Sequence, residues 1–144
     1  MLNLLTGIES TAAALNAERT RLEVTSQNIA NANTSRGLDG KPYQRQSVAF
    51  ETVLKQHQAA LGGTSVPSQS VRVSQIVKDK NPPKMVHIPN HPDANAEGMV
   101  AMPNINIHEE MVDLMAASRA FEANLSVVKN ARSMALQSLQ IGKR

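Results

Sequence analysis

Three stretches of this chain carry side chains of the types that bind metals or catalyse reactions. Asp93-Ala94-Asn95-Ala96-Glu97-Gly98 places oxygen donors at alternate positions ahead of a glycine, as the opening of a calcium loop does. Such a loop draws its strongest ligand from a bidentate Glu at the twelfth position, which here is Asn104. A polar turn leading into a strand is the reading that remains. His87 and His91 have the i, i+4 spacing of a helical metal pair, but Pro89 and Pro92 forbid the helix that would bring them to one face. His108-Glu109-Glu110-Met111-Val112 begins like a zinc-protease helix and has valine where the second His must stand. With no serine elbow, no phosphate-binding glycine loop and no cysteine nucleophile, the sequence predicts neither an enzyme nor a cofactor or metal protein.

The elements that would position these residues are more informative. Ile8, Leu15, Leu22 and Ile29 recur every seventh residue, with Leu5, Ala12, Arg19 and Ser26 three before each. Toward the other end Ile107, Leu114, Phe121, Val128 and Ala135 recur in the same way, with Met111, Ser118, Leu125, Arg132 and Leu139 four after each. A 3-4 alternation of this kind is the pattern of a coiled-coil seam. Arg19, Ser26, Ser118 and Arg132 interrupt it. They are read as positions that drift to the helix surface, because a strict heptad gains ~20° per repeat on a straight helix. A role in fixing register is the alternative.

Composition supports thin helical seams over a large core. The 144 residues include one Tyr, two Phe and no Trp. A net charge of +3 and a pI near 9.5 would suit phosphate binding. Here, however, basic and acidic residues are interleaved and aromatic stacking platforms are scarce, so no nucleic-acid partner is expected. The absence of cysteine excludes disulfides and thiolate metal sites. Met1-Leu-Asn-Leu-Leu-Thr-Gly lacks the basic and apolar regions of a signal peptide, and no run approaches the ~18 apolar residues of a membrane helix. The expected chain is soluble, without membrane insertion, or leaves the cytoplasm by a route that needs no cleaved signal.

The first helix is expected to begin near Asn3 or Thr6, where Thr6 and Glu9 have capping-box spacing, and to end near Asn31. Residues 35–42 then gather Gly and Pro as a loop. Val48 and Phe50 suggest a short strand. Residues 51–61 are ambiguous, and the stretch from Gly62 to Ser68 reads as a loop. Val71 and Val73 read as one arm of a hairpin, turned at Asn81-Pro82-Pro83, with Met85-Val86-His87-Ile88 as the other arm and a bulge near Ile76-Val77. A third extended run is Met99–Met102. Asn106 with Glu109 then caps a helix that meets neither Gly nor Pro between Ile107 and Ile141, its early acids and later bases complementing the helix dipole. The predicted fold is mainly α: long terminal helices forming a coiled-coil-like pair, with a small irregular β insert. The expected division is an N-terminal helix over 1–34, a linker and β-rich middle over 35–105, and a C-terminal helix over 106–144.

Gln27-Asn28-Ile29-Ala30-Asn31-Ala32-Asn33-Thr34, followed by Tyr43-Gln44-Arg45 and Phe50, resembles the N-terminal signature of bacterial flagellar rod and hook proteins. Asn90–Asn95, Glu97-Gly98-Met99-Val100, Met102-Pro103-Asn104-Ile105-Asn106, Glu110-Met111, Ala117-Ser118-Arg119 and Ala123-Asn124 resemble, within that family, the proximal rod proteins of the C type. The likeness covers both termini and the second half of the middle. Its signature positions are Asn28, Ile29, Ala30, Asn31, Asn33, Thr34, Tyr43, Arg45, Gly98, Pro103 and Asn104.

The resemblance implies a structural subunit of the basal-body rod, which transmits torque from motor to hook. Its terminal helices would line an export channel and its middle would pack outside. It further implies export through the flagellar type III apparatus without a cleaved signal peptide, and a periplasmic rod as destination. Its partners would be other rod subunits and copies of itself in a helical tube, with the basal-body rings as further neighbours. The residues expected at subunit interfaces are Leu5, Ile8, Leu15, Leu22 and Ile29 on one helix and Leu114, Phe121, Leu125, Val128 and Leu139 on the other. The rival readings are a helical subunit or interaction module of another type III secretion-like assembly, and a cytoplasmic enzyme or regulator that works as a monomer.

Overall fold

A computed structural model describes residues 2–37, 39–56 and 67–141. Two long helices bracket two small antiparallel sheets, and about half of the chain is helical. Helix α1 spans Leu2–Ala30 and helix α2 spans Ile107–Ile141. Between them strand β1 (Gln46–Gln56) pairs with β2 (Pro67–Lys78), and β3 (Lys84–His87) pairs with β4 (Met99–Met102).

Helix α2 occupies the whole Gly- and Pro-free stretch, because nothing within it interrupts the backbone ladder. Its start is fixed as the spacing requires: the Asn106 Oδ1 accepts from the His108 N–H at 3.2 Å, and the Asn106 side-chain amide donates to Glu109 Oε1 at 2.9 Å. Helix α1 begins earlier than the Thr6–Glu9 spacing suggests, so Thr6 lies inside the helix and not at its cap. The helix closes through tighter turns, with Ala32 N–H donating to the Ile29 carbonyl and Thr34 N–H to that of Asn31.

The strand pairing differs from the one expected. β2 pairs with β1, not with β3, and β3 pairs with β4. The Asn81-Pro82-Pro83 link has two residues without an N–H and with φ held near −65°, which suits a change of direction better than a tight hairpin. Asp79 supports that change, its carboxylate accepting from the Asn81 N–H at 3.0 Å. This contact holds the Asp79 carboxyl below the ordinary carboxylate range. The bulge lies at Ser74, since Ala49 faces Gln75 and Phe50 faces Val73. The ambiguous 51–61 segment is strand as far as Gln56, and the loop expected from Gly62 onward lies outside the described residues except for Pro67 and Ser68, which begin β2.

α1 is the element that touches α2 and the β1–β2 hairpin alike. Asn28 reaches Glu110 and Arg21 reaches Asp113, so one helix descends as the other climbs and the pair is antiparallel. Ser10 Oγ donates to the Gln69 carbonyl at 3.0 Å and ties the hairpin along α1. The buried apolar residues of the helices and of the turn after α1 are small: Ala17, Val24, Ala32, Ala117 and Ala131. The two ladders stand beside this line. Ile8, Leu15, Leu22, Ile29, Leu114, Phe121 and Val128 are half-buried, while Leu125 and Leu139 are 52% and 59% exposed. Arg19, Ser26 and Arg132 are exposed and Ser118 is half-buried, the positions expected of residues that drift off a seam. The Leu5 side chain lies outside the described residues.

Candidate functional site

The last turn of α1, the first residues of β1 and the first turn of α2 meet in a knot of polar side chains. Asn28 and Glu110, each 1% exposed, form its centre. The Asn28 amide donates to the Gln46 carbonyl at 2.8 Å and to Glu110 Oε2 at 2.9 Å. Its oxygen accepts from the Gln46 N–H at 2.9 Å and from the Tyr43 hydroxyl at 3.0 Å. Both donors and both lone pairs of the amide are therefore used, and toward Gln46 the side chain acts as a neighbouring strand would.

Glu110 is buried because it is paired. Arg45 Nε lies 2.6 Å from Glu110 Oε1, a charge-assisted contact that offsets the desolvation of the carboxylate. Outside this pair Asp113 receives Arg21 at 3.3 Å and lies 3.8 Å from Arg45, and Glu18 lies 3.9 Å from Arg21. Opposite charges alternate along the row. Burial, with the Glu110 charge close by, pushes the Tyr43 phenol above its ordinary value. The chemistry is one of holding: the polar groups of Asn28 and Glu110 at the centre are engaged by other protein groups.

The signature residues divide by position. Asn28, Tyr43 and Arg45 converge in the knot. Asn31 and Thr34 shape the turn that leads there: Asn31 Nδ2 donates to the Gln27 carbonyl at 2.9 Å, and the Thr34 carbonyl accepts from the Tyr43 N–H at 3.2 Å. Ile29 is half-buried, while Ala30 and Asn33 are exposed. Gly98, Pro103 and Asn104 lie apart, around β4. Gly98 has φ +72°, and a Cβ there would stand 3.1 Å from the His87 ring, so the position favours glycine. Pro103 is buried and Asn104 exposed.

The calcium-like stretch is a turn. Asn95 Oδ1 accepts from the Glu97 and Met99 N–H groups at 3.0 and 2.8 Å, while Asp93 accepts from Ser35 Oγ at 2.8 Å and faces Arg36 at 3.6 Å. His91 Nδ1 accepts from the Asp93 N–H at 3.1 Å. The sequence reading places Glu110 among the acids of the first turns of the last helix and in the family resemblance, but not in this knot, and it gives Arg21 no role. The available signal was the i, i+3 pair Glu110 and Asp113, which puts two acids on one helix face.

Comparison with known proteins identifies the family. Residues 8–36 match the family described as flagella basal body rod protein, and residues 96–141 match the flagellar basal body rod FlgEFG protein C-terminal family. Asn28 lies in the first match and Glu110 in the second, with Tyr43 and Arg45 between them. The flagellar basal-body rod protein FlgC of Borreliella burgdorferi is 40% identical, across 97% of this chain and 98% of its own length. Its namesake in Yersinia enterocolitica is 36% identical across 99% and 100%, and that of Bacillus subtilis 36% identical across 92% and 93%. The chain belongs to the FlgC family of flagellar basal-body rod proteins, as a structural subunit of the proximal rod.

Proposed function

We propose that this subunit carries torque along the rod by presenting a locked helix pair whose outward flank is covered by neighbouring subunits. The observation that carries the reading is the placement of the large apolar residues. Ile8, Leu15, Leu22, Ile29, Leu114, Phe121 and Val128 border the small-residue seam and are only partly covered, Leu125 and Leu139 are 52% and 59% exposed, and Leu5 belongs to the same ladder. An apolar flank of that length calls for partners, and heterologous contacts that do not close into a ring generate tubes.

On this reading residues 1–34 and 106–144 form the wall around an export channel in a coiled-coil-like arrangement, and residues 35–105 lie outside it. Copies of this chain and other rod subunits are the neighbours, the basal-body rings are adjacent, and the type III export apparatus delivers the subunit to the periplasmic rod. Family membership supports these assignments. Electron cryotomography of a strain lacking the gene tests the reading: basal rings without a complete rod are expected, and normal rods and hooks would overturn it. Leu125→Asp then tests the flank itself. The isolated variant should keep its stability to within about 0.5 kcal/mol, as an exposed position does, while motility is lost. Full motility would remove Leu125 from the interface.

A further inference from the structure

Along its later half the flank of α2 changes character. Leu125, Lys129, Arg132, Leu136 and Leu139 follow one another at intervals of four, three, four and three residues, the spacing that lines side chains along one face of a helix. All five are exposed, the leucines at 52%, 52% and 59%. Three bare leucines thus bracket two cations that stand one turn apart. The cations are set off by what they lack. Arg19, Arg21, Arg36, Arg45 and Arg72 each face a carboxylate of the chain. Among the described residues Lys129 and Arg132 face none, and the nearest acid before them on α2, Glu122, is seven residues from Lys129, about 10 Å along the axis.

We infer that this stripe docks a helix of a different rod subunit, one that sets apolar residues against Leu125, Leu136 and Leu139 and two carboxylates, one turn apart, against Lys129 and Arg132. The inference rests on the reading that neighbouring subunits cover the flank, and it adds which kind of neighbour does so here. Leucines alone would accept any apolar surface. Two unpaired cations in the same row narrow the choice, because a cation pressed against an apolar helix loses hydration without compensation and one pressed against another cation is repelled. The alternating four and three spacing fits a helix as the partner, with charges beside a leucine seam selecting which one. A second copy of this chain does not supply that surface. Its only helical acids one turn apart are Glu109 or Glu110 with Asp113, and Glu110 and Asp113 already face Arg45 and Arg21.

Charge reversal in the cell tests this. Lys129→Glu combined with Arg132→Glu should abolish swimming, while the urea midpoint of the isolated chain stays within about 0.3 M of wild type, because both positions are exposed. Lys129→Arg combined with Arg132→Lys keeps both charges and should swim as wild type. Suppressors selected from the reversed strain for regained swimming should exchange an acid for Lys or Arg in a helix of a different rod protein. Suppressors confined to this chain's own acids would make a second copy the occupant and overturn the assignment, as would recovery only through reversion at 129 or 132. Full swimming of the reversed strain, beside a deletion strain that builds no complete rod, would overturn the acidic partner alone; normal rods in the deletion strain would overturn the tube reading itself. Should the reversed chain fail to fold by circular dichroism, Lys129→Gln with Arg132→Gln takes its place: the swimming halo should shrink at least about twofold, and an unchanged halo would overturn the assignment.

Discussion

The surface by which α1 and α2 meet and the flank beside it are built on opposite principles. Where the helices meet, the side chains are alanine, valine and a polar knot with every central partner present; on the flank they are Ile, Leu, Phe and Val left only partly covered. Small residues let two backbones approach closely, but they contribute little burial, so the contact gains its strength from Asn28, Arg45 and Glu110. The comparison teaches that large apolar residues at heptad spacing need not mark the intramolecular seam. On the proposed function they are what the subunit keeps available for its neighbours.

Breaking the inner side should have the largest effect. Asn28→Leu strips Gln46, Tyr43 and Glu110 of a partner at once, and should lower the stability of the isolated chain by about 3–5 kcal/mol in urea denaturation, the range found when a buried paired charge loses its support. A loss under about 1 kcal/mol would mean that water replaces the amide. Ala117→Leu comes next. Ala117 is fully buried, so a larger side chain must push the helices apart, at about 1–3 kcal/mol by the same measurement. Unchanged stability would show that the seam is not closely packed.

Tyr43→Phe sharpens the comparison with pH. It removes one hydrogen bond to Asn28 while leaving the Gln46 N–H on the same oxygen, a loss of about 1 kcal/mol near neutrality. Because burial and Glu110 raise the phenol above its ordinary 10.0, the folded state favours the protonated ring. That contribution is fully present below 10.0 and is lost as pH rises through the raised value. The wild-type chain should therefore lose stability on the alkaline side more steeply than Tyr43→Phe, and parallel curves would contradict the assignment. Arg132→Leu should do least, within about 0.5 kcal/mol and without changing subunit stoichiometry, since Arg132 is exposed on α2. A changed stoichiometry by sedimentation would restore the register role for this residue.

Much of the scaffold was legible in residue order. The bounds of α2 follow from the absence of Gly and Pro and from the Asn106 cap, and the two β-prone stretches flanking Asn81-Pro82-Pro83 are recognisable from their valines. Their pairing was not legible. Local spacing favours joining neighbours in sequence, whereas β2 reaches back to β1 because α1 supplies the surface on which that hairpin lies. The seam was hidden for a related reason: periodicity weighs side chains by size, and alanines at 17, 117 and 131 weigh little until two helices choose to meet there. In the knot, Asn28, Tyr43, Arg45 and Glu110 were all visible through the family resemblance, but not that Glu110, 82 residues beyond Asn28, meets the other three.

Sequence by itself determined the two terminal helices, the family and the heptad positions of the large apolar residues, because helix formation and amphipathic spacing are local properties written every three or four residues. Only the tertiary structure decided which column faces the partner helix, which strands pair and where Glu110 finds its countercharge. Those outcomes depend on how closely distant backbones can approach and on whether a buried charge is met by another, and neither is expressed in the spacing of any single segment.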